Sequence, residues 1–248
     1  MATVIILAGG LATRLRPITE KIPKSLVAVD DRPFILHQLQ RLAMMGFYDI
    51  VISTGYRGDM IMRLLGERGN SLIEFPNDEV MKCFKIRYIN DGDKLRGTGG
   101  AVGKILKENE VSNPFVVIYG DSYLPGDYCM MIDEFIKHTQ MDALMCVYEN
   151  QDSFDRSNVE FSEGRIVVYD KRERTPQMKH IDWGLNIFRK SAFQEFEKQD
   201  VYDLSEVFST ALMRERLLGY EVFDRFYEIG SHQGLEELTL YLREKRGN

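Results

Sequence analysis

Short, largely apolar runs along the first half of the chain predict buried strands, because a strand covered on both faces shows no polar side. These strands are predicted at Thr3–Leu7, Asp49–Thr54, Ile86–Asn90, Phe115–Tyr119 and Asp142–Tyr148. Between them, apolar residues recur at helical spacing. Helices are predicted from Pro33 to Gly46, over Gly58–Leu65, over Gly97–Asn109 and after an N-cap at Asp127. Repeated strand–helix units of this kind predict a Rossmann-like, mostly parallel sheet with helices on both faces.

The second half of the chain has a different, more strand-rich pattern. Two apolar segments flank Ser162-Glu163-Gly164, which predicts a hairpin. Further strands and helices follow a polar segment, so a smaller β-rich part completes the sheet. The elements predicted here are strands at Asn158–Phe161, Arg165–Tyr169, Ile181–Phe188 and Tyr220–Phe223, and helices at Phe193–Phe196, Asp203–Leu217 and Leu235–Leu242.

Size, charge and cysteine usage narrow the class of protein. A chain of 248 residues suits one α/β domain with an elaborated second half. The net charge of −6 argues against a general nucleic-acid binder. Cys83, Cys129 and Cys146 match no metal or disulfide spacing, which indicates free thiols in a reducing compartment. With neither a signal-peptide pattern nor an apolar run near the ~20 residues of a membrane span, we expect a cytoplasmic protein without membrane contact.

The first predicted strand opens directly into glycines and then into basic residues. Gly9 and Gly10 follow the apolar run, and Thr13, Arg14 and Lys24 come after them. Glycines let a backbone approach phosphate oxygens closely, and Arg and Lys supply positive charge. A basic loop on an acidic protein therefore indicates a small anionic ligand. An ordinary strand–helix turn that contains glycine is the alternative.

Two further positions favour a phosphate ligand at the same edge of the sheet. Asp121 follows the strand Phe115–Tyr119, and ligands of parallel sheets bind outside the carboxyl ends of the strands. A carboxylate there can hold Mg²⁺ against a nucleotide phosphate, whereas an Asp that caps a turn is the alternative. Gly97-Thr98-Gly99-Gly100 opens a helix whose free N–H groups can face an acceptor. A plain glycine-rich helix start is the alternative for this segment.

The stretch from Leu7 to Leu15, Leu-Ala-Gly-Gly-Leu-Ala-Thr-Arg-Leu, together with Pro23-Lys24, resembles the signature of sugar-1-phosphate nucleotidyltransferases. The similarity extends through most of the chain. The family usually has Gly where this chain has Ala12, whose Cβ can crowd a bound phosphate, and Pro where it has Ser25. The resemblance implies a single domain over residues 1–248, with the nucleotide in residues 1–125 and the sugar phosphate in residues 126–248. No C-terminal β-helix of the kind some members carry is expected.

The resemblance also implies roles for individual residues. Arg14 would bind the β- and γ-phosphates and the leaving pyrophosphate, and Lys24 would bind the α-phosphate. Asp121 and Glu228 would hold Mg²⁺. Glu228 replaces the usual Asp, and pairing with a basic residue is its alternative. The catalytic residues would be Arg14, Lys24 and Asp121. The residues expected to bind the nucleotide are Leu7, Ala8, Gly9, Gly10, Thr13, Arg14, Lys24, Gly97, Thr98, Gly99 and Asp121.

The second substrate is expected in the segment after the hairpin. Asp170-Lys171 matches the family's Glu-Lys pair, in which the acid contacts a sugar hydroxyl and the lysine contacts the sugar phosphate. Asp182-Trp183-Gly184 stands where the family often has Asn-Ala-Gly, and Gly184 would let the backbone approach the sugar. Trp183 either stacks on the sugar or is buried between strands. The substrate-binding residues implied are thus Asp170, Lys171, Asp182 and Gly184.

The reaction implied is transfer of a nucleoside monophosphate from an NTP to a sugar 1-phosphate, which releases pyrophosphate. The short form of the chain looks most like guanylyltransferases for mannose- or heptose-type 1-phosphates, so GTP is favoured, while thymine, uracil and cytosine stay open. A homodimer is expected because dimers are common in such enzymes. Two alternatives remain: a catalytically silent, nucleotide-sugar-binding regulatory subunit, and a cytidylyltransferase for a non-sugar phosphate.

Overall fold

The structure, a computed structural model, describes residues 1–10, 13–66, 69–75, 78–92 and 95–247. For residues 13, 69, 75, 78–82 and 247 it describes the backbone alone. The strands of these residues are β1 (Val4–Ala8), β2 (Ala28–Val29), β3 (Arg32–Pro33), β4 (Asp49–Thr54), β5 (Gly69–Phe75), β6 (Asp78–Asn90), β7 (Phe115–Tyr119), β8 (Ser122–Tyr123), β9 (Ala143–Glu149), β10 (Val159–Ser162), β11 (Arg165–Tyr169), β12 (His180–Phe188), β13 (Leu217–Val222) and β14 (Tyr227–Glu228).

Helices connect most of these strands. The α-helices are α1 (Ile18–Lys21), α2 (Phe34–Met44), α3 (Gly58–Leu65), α4 (Gly97–Glu108), α5 (Tyr128–Lys137), α6 (Leu204–Met213) and α7 (His232–Gly247). Short 3₁₀ turns lie at Thr13–Leu15, Lys24–Leu26 and Lys190–Phe196. Across the described ranges, no helix combines the length and apolar character that a membrane span requires.

The centre of the main sheet is parallel. Ten strands of the described residues form this sheet, in which β1 lies between β4 and β7, and β6 lies beside β4. Ala8 pairs with Thr54, and Thr54 pairs with Asn90 on its other side. Leu7 pairs with Tyr119. Because these four strands run in the same direction, their carboxyl ends meet along one edge.

Antiparallel strands extend the sheet at both ends. β5 pairs with β6 at one end. At the other end β12 runs antiparallel to both β7 and β9, and β13 lies parallel to β9. β10 and β11 form the predicted hairpin, and β10 meets β12 at the pair Val159–His180. The predicted fold class, a mostly parallel centre with a β-rich second half, is confirmed.

Helices cover both faces of the sheet, as the alternating pattern predicts. Val4 and Ile6 of β1 pack into one apolar cluster, and Ile5 between them packs into another. Side chains of α2, α3 and α5 belong to the first cluster, and those of α4 and α6 belong to the second. This burial on both faces explains why β1 is a continuous apolar run. A third, small cluster joins α7 to the segment after β14 through Leu238 and Ile229.

Several predicted elements have the observed bounds. The strands predicted at Asp49–Thr54 and Phe115–Tyr119 and the helix at Gly58–Leu65 are β4, β7 and α3, residue for residue. Asp127 is the N-cap of α5, where its carboxylate accepts a hydrogen bond of 2.9 Å from the N–H of Cys129. The hydrophobic period and the capping residue are therefore sufficient to locate these elements.

The helix predicted over Asp203–Leu217 is wrong at its C-terminal end. α6 ends at Met213, and the chain turns into β13, which begins before the predicted strand Tyr220–Phe223. Glu215 lies between them with a φ of 56°, in the left-handed region where a right-handed helix cannot continue. At the other end of the sheet, β6 extends beyond its predicted start and pairs with β5, a strand that the sequence analysis did not predict.

Candidate active site

The carboxyl ends of β1, β4, β6 and β7 open into a cleft of about 800 Å³. This is the edge at which ligands of parallel α/β sheets bind. Most of the residues that the sequence assigned to the nucleotide lie along it. Those that line the cleft are Leu7, Ala8, Gly9, Gly10, Lys24, Gly97, Thr98 and Asp121.

Gly9 and Gly10 differ in what surrounds them. A Cβ on Gly9 would lie 2.8 Å from Asp91 Oδ2, and one on Gly55 would lie 2.5 Å from the Gly9 carbonyl oxygen. The loop after β1 therefore rests directly on the loop after β4, which only glycine permits. A Cβ on Gly10 would meet nothing within 4 Å. Gly10 thus faces the space that a ligand can enter. Ala12 lies outside the described residues, and for Thr13 only the backbone is described.

Opposite charges meet at the floor of the cleft. Lys24 Nζ forms an ion pair with Asp121 Oδ2, and both side chains are partly buried. The guanidinium of Arg14 reaches the same place, because a Cβ on Gly230 would lie 3.3 Å from Arg14 Nη2 and 3.2 Å from Lys24 Nζ. The structure therefore brings Arg14, Lys24 and Asp121 together although they come from three separate segments.

Glu228 joins this group through a two-stranded ribbon. β14 pairs antiparallel with β8, which places Glu228 opposite Ser122, and the N–H of Ile229 donates to the Asp121 carbonyl oxygen at 2.9 Å. Burial and, after it, the nearby Asp121 carboxylate raise the pKa of Glu228 to about 7, against the opposing charges of Lys24 and Arg14. The carboxylates of Asp121 and Glu228, which come from distant parts of the chain, thus lie near each other in a partly buried site.

This donor set fits a divalent cation of the magnesium kind. Mg²⁺ prefers oxygen ligands and is commonly bound by one or two carboxylates together with substrate phosphates and water. Asp121 and Glu228 supply two carboxylates, and the ionised form of Glu228, which burial and then the Asp121 charge disfavour, is one that a bound cation would stabilise. Among the residues whose positions are described, no cluster of three or more His, Cys, Asp or Glu side chains forms a complete metal cage.

The glycines at the start of α4 pack against the segment that precedes α6. A Cβ on Gly99 would lie 2.4 Å from Cδ2 of Tyr202, and one on Gly100 would lie 2.5 Å from the Asp200 carbonyl oxygen. A Cβ on Gly103, one turn later, would lie 2.3 Å from the Tyr202 hydroxyl. These glycines therefore make room for another part of the chain. The sequence assigned Gly99 to the nucleotide, but the space next to its Cα is filled by the Tyr202 ring.

The N-terminus of α4 already has an acceptor from within the chain. Asp203 Oδ1 accepts hydrogen bonds from the N–H and the hydroxyl of Thr98, at 3.2 and 3.3 Å. In return, the Thr98 hydroxyl oxygen accepts a hydrogen bond of 2.9 Å from the N–H of Leu204. α4 and α6 thus cap one another. Thr98 and Asp203 both line the cleft, so this carboxylate belongs to its wall.

Lys171 lies beside the same strand end as Asp121. Its ammonium is 5.7 Å from the ring centre of Tyr119 and 6.0 Å from that of Tyr169. Tyr119 ends β7 and lines the cleft, and Asp121 follows it after one residue. The second predicted anion-binding lysine therefore approaches the cleft from the side of the hairpin.

Asp170 is engaged with its own loop. Its Oδ1 accepts the N–H groups of Arg172 and Glu173, at 2.6 and 2.9 Å. These backbone hydrogen bonds hold the pKa of Asp170 below its usual value. A turn of this kind orders the backbone around Lys171. The contacts of the Asp170 carboxylate in this structure are thus with the backbone of its own loop.

Asp182 and Gly184 pack beneath Tyr119. Asp182 Oδ1 accepts from the N–H of Gly184 at 3.0 Å and from the amide of Asn186 at 3.2 Å, and the Tyr119 hydroxyl lies 3.4 Å from Oδ2. Gly184 has a φ of 102°, which favours glycine, and a Cβ there would lie 3.5 Å from the Tyr119 ring. Both residues therefore support the wall of the cleft.

Trp183 is buried, which decides between the two interpretations of this residue. Its side chain is 1% exposed, and its indole N–H donates to the Asp224 carbonyl oxygen at 2.8 Å. A ring in this position cannot stack on a sugar. His180 is also buried, and its Nε2 lies 3.2 Å from a carboxylate oxygen of Glu221.

Residues at and just after the ends of β4 and β6 also line the cleft, although they were not among the predicted site residues. Ser53, Tyr56 and Arg57 line one part of the cleft, and Asn90 and Asp91 line another. The Ser53 hydroxyl donates to Asp91 Oδ2 at 2.9 Å, and burial raises the pKa of that carboxyl. The signal was available, because the reasoning that selected Asp121 at the end of β7 applies equally to the ends of its parallel neighbours.

Known proteins resemble the chain over nearly its whole length. The family model described as nucleotidyl transferase matches residues 3–245. The D-glycero-alpha-D-manno-heptose 1-phosphate guanylyltransferase of Campylobacter jejuni is 26% identical over 227 residues, which cover 91% of this chain and 93% of that protein. Mannose-1-phosphate guanyltransferase beta-B of Xenopus laevis is 25% identical over 98% of this chain, and the chain spans 65% of that protein's length.

Solved structures share the fold. HddC from Yersinia pseudotuberculosis superposes with a TM-score of 0.75 at 23% identity, over 98% of this chain and all of that chain. The inositol-1-phosphate CTP transferase from T. maritima superposes with a TM-score of 0.74 at 20% identity, over 98% of this chain and 97% of that one. At this level of identity the likeness is one of fold alone.

Proposed function

We propose a reaction for this protein from one premise, which is that the chain belongs to the nucleotidyl transferase family. The reaction is transfer of a nucleoside monophosphate from an NTP to a sugar 1-phosphate, with an NDP-sugar and pyrophosphate as products. GTP and a mannose- or heptose-type 1-phosphate are the proposed substrates. Their support is the pair of guanylyltransferases that match this chain over more than nine-tenths of its length.

The observation that carries the proposal is the clustering of Arg14 and Glu228 around the Lys24–Asp121 pair, which lines the cleft. Two polyanions must come together in this reaction, so the protein mainly has to neutralise charge and align the reacting groups. An edge lined by glycine, two cations and two carboxylates suits that task. A site for a neutral ligand would not require it.

Each part of the site has a proposed task in the reaction. The open backbone at Gly10 receives the triphosphate, and Arg14 binds its β- and γ-phosphates and the pyrophosphate that leaves. Lys24 stabilises the charge that builds on the α-phosphate in the transition state. In the free protein Lys24 is paired with Asp121, so substrate binding must exchange this partner for a phosphate oxygen.

Asp121 and Glu228 are the residues that would hold the Mg²⁺ ion. When bound, the ion supplies positive charge to the phosphate oxygens. Asp121 directly precedes β8 and Glu228 belongs to β14, so the hydrogen bonds between these two short strands, together with that from Ile229 N–H to the Asp121 carbonyl oxygen, hold the two residues side by side. Glu228, with its pKa raised to about 7, gives up any proton it holds before it can act as a ligand.

Lys171 is proposed to bind the phosphate of the incoming sugar. Its ammonium lies beside Tyr119, at the strand end that carries Asp121, so a phosphate held there faces the nucleotide. That phosphate is already an anion near neutral pH, and the reaction therefore needs no general base. His180 is buried against Glu221 and takes no part in the proposed chemistry.

The proposed arrangement divides the chain between its two substrates. Residues 1–125 bind the NTP, and residues 126–248 bind the sugar 1-phosphate, apart from Glu228, which returns to the metal. We also propose a cytoplasmic location, supported by the free cysteines, and a homodimer, supported by the family resemblance. Light scattering of the purified protein measures the mass and tests the dimer.

Pyrophosphate release is the measurement that tests the function. We would supply the four NTPs in turn with hexose and heptose 1-phosphates, in the presence of Mg²⁺. Rapid release with GTP and one of these sugars is the expected result. Nucleotide-sugar binding without any release would favour the regulatory subunit. Release that requires CTP and a phosphorylated alcohol would favour the non-sugar cytidylyltransferase.

A further inference from the structure

The segment of residues 150–157, which we call the bridging loop, is held together by its own hydrogen bonds. Asn150 is 2% exposed, and its amide donates to the Asp155 carbonyl oxygen at 2.6 Å and to the Ser157 hydroxyl at 3.2 Å. The N–H of Ser157 donates to Asp152 Oδ1 at 2.8 Å, and the N–H of Asp152 donates back to the Ser157 hydroxyl at 3.1 Å. A loop closed in this way behaves as a compact unit.

The bridging loop is joined to the segment that carries Lys171. We call this segment, residues 170–179, the Lys171 loop. Arg174 Nη2 donates to both carboxylate oxygens of Asp152, at 2.6 and 2.7 Å. At the far end of the Lys171 loop, the Lys179 carbonyl oxygen accepts the N–H groups of Asn150 and Gln151, both at 2.9 Å. The two loops are therefore tied at two separate points.

The other side of the bridging loop contacts the segment that carries Glu228. The Arg225 guanidinium lies 3.7 Å from the ring centre of Phe154 and 4.6 Å from that of Tyr227. The Phe154 ring also packs edge-on against Phe226, with ring centres 6.1 Å apart. Arg225 in turn forms an ion pair with Glu237 of α7. The residue before Glu228 is thus stacked, through Arg225, on the bridging loop.

We propose that the bridging loop positions Lys171 and Glu228 relative to each other, so that Asp152, Arg174 and Phe154 are positioning residues for the reaction. This rests on the function proposed above, in which Lys171 binds the incoming phosphate and Glu228 binds the metal. Neither Asp152 nor Phe154 lines the cleft. They act through the two loops that they join.

The Asp152–Arg174 pair has the geometry that such a role needs. A single ion pair at a protein surface usually contributes little to stability, unless its geometry is good or it belongs to a network. Here both carboxylate oxygens are engaged, and Oδ1 also accepts from Ser157. The hydrogen bond from Arg174 and then that from the Ser157 backbone lower the pKa of Asp152 to about 2. The pair is therefore intact at every pH at which the enzyme would be assayed.

Asp152→Asn separates this proposal from a general effect of charge. Removing a negative charge from this part of the surface would strengthen the binding of an anionic substrate by simple electrostatics. Loss of the correct position of Lys171 would instead weaken the binding of this substrate. The asparagine keeps an oxygen for the N–H of Ser157, so the bridging loop stays closed. We expect KM for the sugar 1-phosphate to rise about two- to fivefold, the upper range of one well-formed surface ion pair, with KM for the NTP unchanged.

A double-mutant cycle tests whether the pair acts as a unit. Arg174→Gln should raise KM for the sugar 1-phosphate as Asp152→Asn does, and the double variant should be no worse than either single variant. Arg172→Gln is the matched control, since it removes a cation from the same loop without breaking the pair. Glu195→Gln, which breaks the remote surface pair with Arg214, is a second control. Additive effects, or equal effects in the controls, would overturn the proposal.

Limited trypsin digestion gives a readout that needs no activity. The Lys171 loop contains several trypsin sites, at Lys171, Arg172, Arg174 and Lys179. Asp152→Asn should increase the cleavage rate there several-fold and leave cleavage elsewhere unchanged. An unchanged digestion pattern together with an unchanged KM would contradict the role of Asp152.

Phe154→Leu tests the connection to Glu228. It removes the ring that stacks on Arg225, so we expect weaker binding of Mn²⁺, used as the probe in calorimetry, and a higher Mg²⁺ concentration at half-maximal turnover. Phe223→Leu is the control, because Phe223 is 86% exposed. Mn²⁺ affinity equal in wild type and Phe154→Leu would overturn this part. An inactive wild-type protein would instead contradict the proposed function, and the digestion and Mn²⁺ experiments would still report on the loops.

Discussion

Lys24 and Asp121 form an ion pair that joins the 3₁₀ turn Lys24–Leu26 to the segment that follows β7. Each residue is proposed to act on a different ligand, Lys24 on a phosphate and Asp121 on a cation. In the free protein they neutralise one another in a partly buried place, where an unpaired charge is costly. When a nucleotide binds together with its metal, the Lys24–Asp121 attraction is replaced by two others, Lys24 with a phosphate and Asp121 with the cation. Variants of the two residues should therefore behave differently.

Lys24→Ala should reduce kcat on the order of 10²-fold or more, with a smaller change in KM for the NTP. The reason is that Lys24 is proposed to act on the charge that develops in the transition state. Steady-state rates of pyrophosphate release measure both constants, and circular dichroism checks that the variant is folded. A kcat within a few-fold of wild type would contradict this role.

Asp121→Asn should lose Mg²⁺-dependent turnover and yet bind metal-free nucleotide more tightly than wild type. The substitution frees Lys24 from its partner and removes a negative charge from the place where phosphates bind. Calorimetric titration with GTP in the presence of EDTA measures this affinity. Weaker binding than wild type would show that Asp121 does not compete with the nucleotide for Lys24.

Two glycine substitutions should separate stability from binding. Gly100→Ala places a Cβ 2.5 Å from the Asp200 carbonyl oxygen, so it should destabilise the protein by about 1 to 3 kcal/mol. Gly10→Ala meets nothing within 4 Å and should leave the free energy of unfolding nearly unchanged while it raises KM for the NTP. Urea unfolding and initial rates measure the two effects. The opposite assignment would mean that Gly100, rather than Gly10, contacts the nucleotide directly.

The contribution of Glu228 to the stability of the metal-free protein should fall as the pH rises from about 5 to 8. The pKa of Glu228 is raised to about 7 from 4.5, so the folded state binds this proton more tightly than the unfolded state does. Its contribution is complete below the unfolded value and is lost as the pH passes through the folded value, a change of at most about 3 kcal/mol. Urea unfolding in EDTA at several pH values measures it. Glu228→Gln should remove this part of the pH dependence.

Trp183→Phe should change stability and leave sugar binding alone. The indole is 1% exposed and donates a hydrogen bond to the Asp224 carbonyl oxygen, so the variant loses both packing and this hydrogen bond. A loss of about 1 to 3 kcal/mol in the free energy of unfolding is expected. KM for the sugar 1-phosphate should stay within twofold. Since this is the sole tryptophan, weak quenching of its fluorescence by iodide checks the burial.

The parts of the fold that were predictable are those whose side chains face apolar layers on both sides. Continuous apolar runs located β1, β4 and β7, because strands at the centre of the sheet contact helices on each face. The edge strand β5 has polar and apolar residues in mixed order, and the sequence analysis passed over it. The end of α6 was missed because Glu215 takes a left-handed conformation without a glycine or proline to indicate it.

The site divides in the same way. Asp121 was predictable from its place after a parallel strand, and the same rule would have selected Asp91 after β6. The surroundings of Gly99 were not predictable, because its partner is set by a tertiary contact, whereas the local turn at Asp170 is one that Asp commonly forms. Asp170 accepts hydrogen bonds from its own loop, and Gly99 receives Tyr202, which is distant in sequence. A motif gives the types of residue at a site. It does not show which of these residues are already engaged in contacts with other parts of the same chain.

β12 has a mechanical consequence for the proposed reaction. It hydrogen-bonds to β7, and the hairpin β10–β11, which precedes Lys171, joins it through the pair Val159–His180, so the strand that precedes Asp121 and the strand that precedes Lys171 belong to one continuous sheet. Many transferases bring their two substrates together by rotating one domain toward another. Here no such rotation is available without breaking strand pairing. The line of attack on the α-phosphorus is therefore set when the chain folds, and only side chains and loops remain to adjust it.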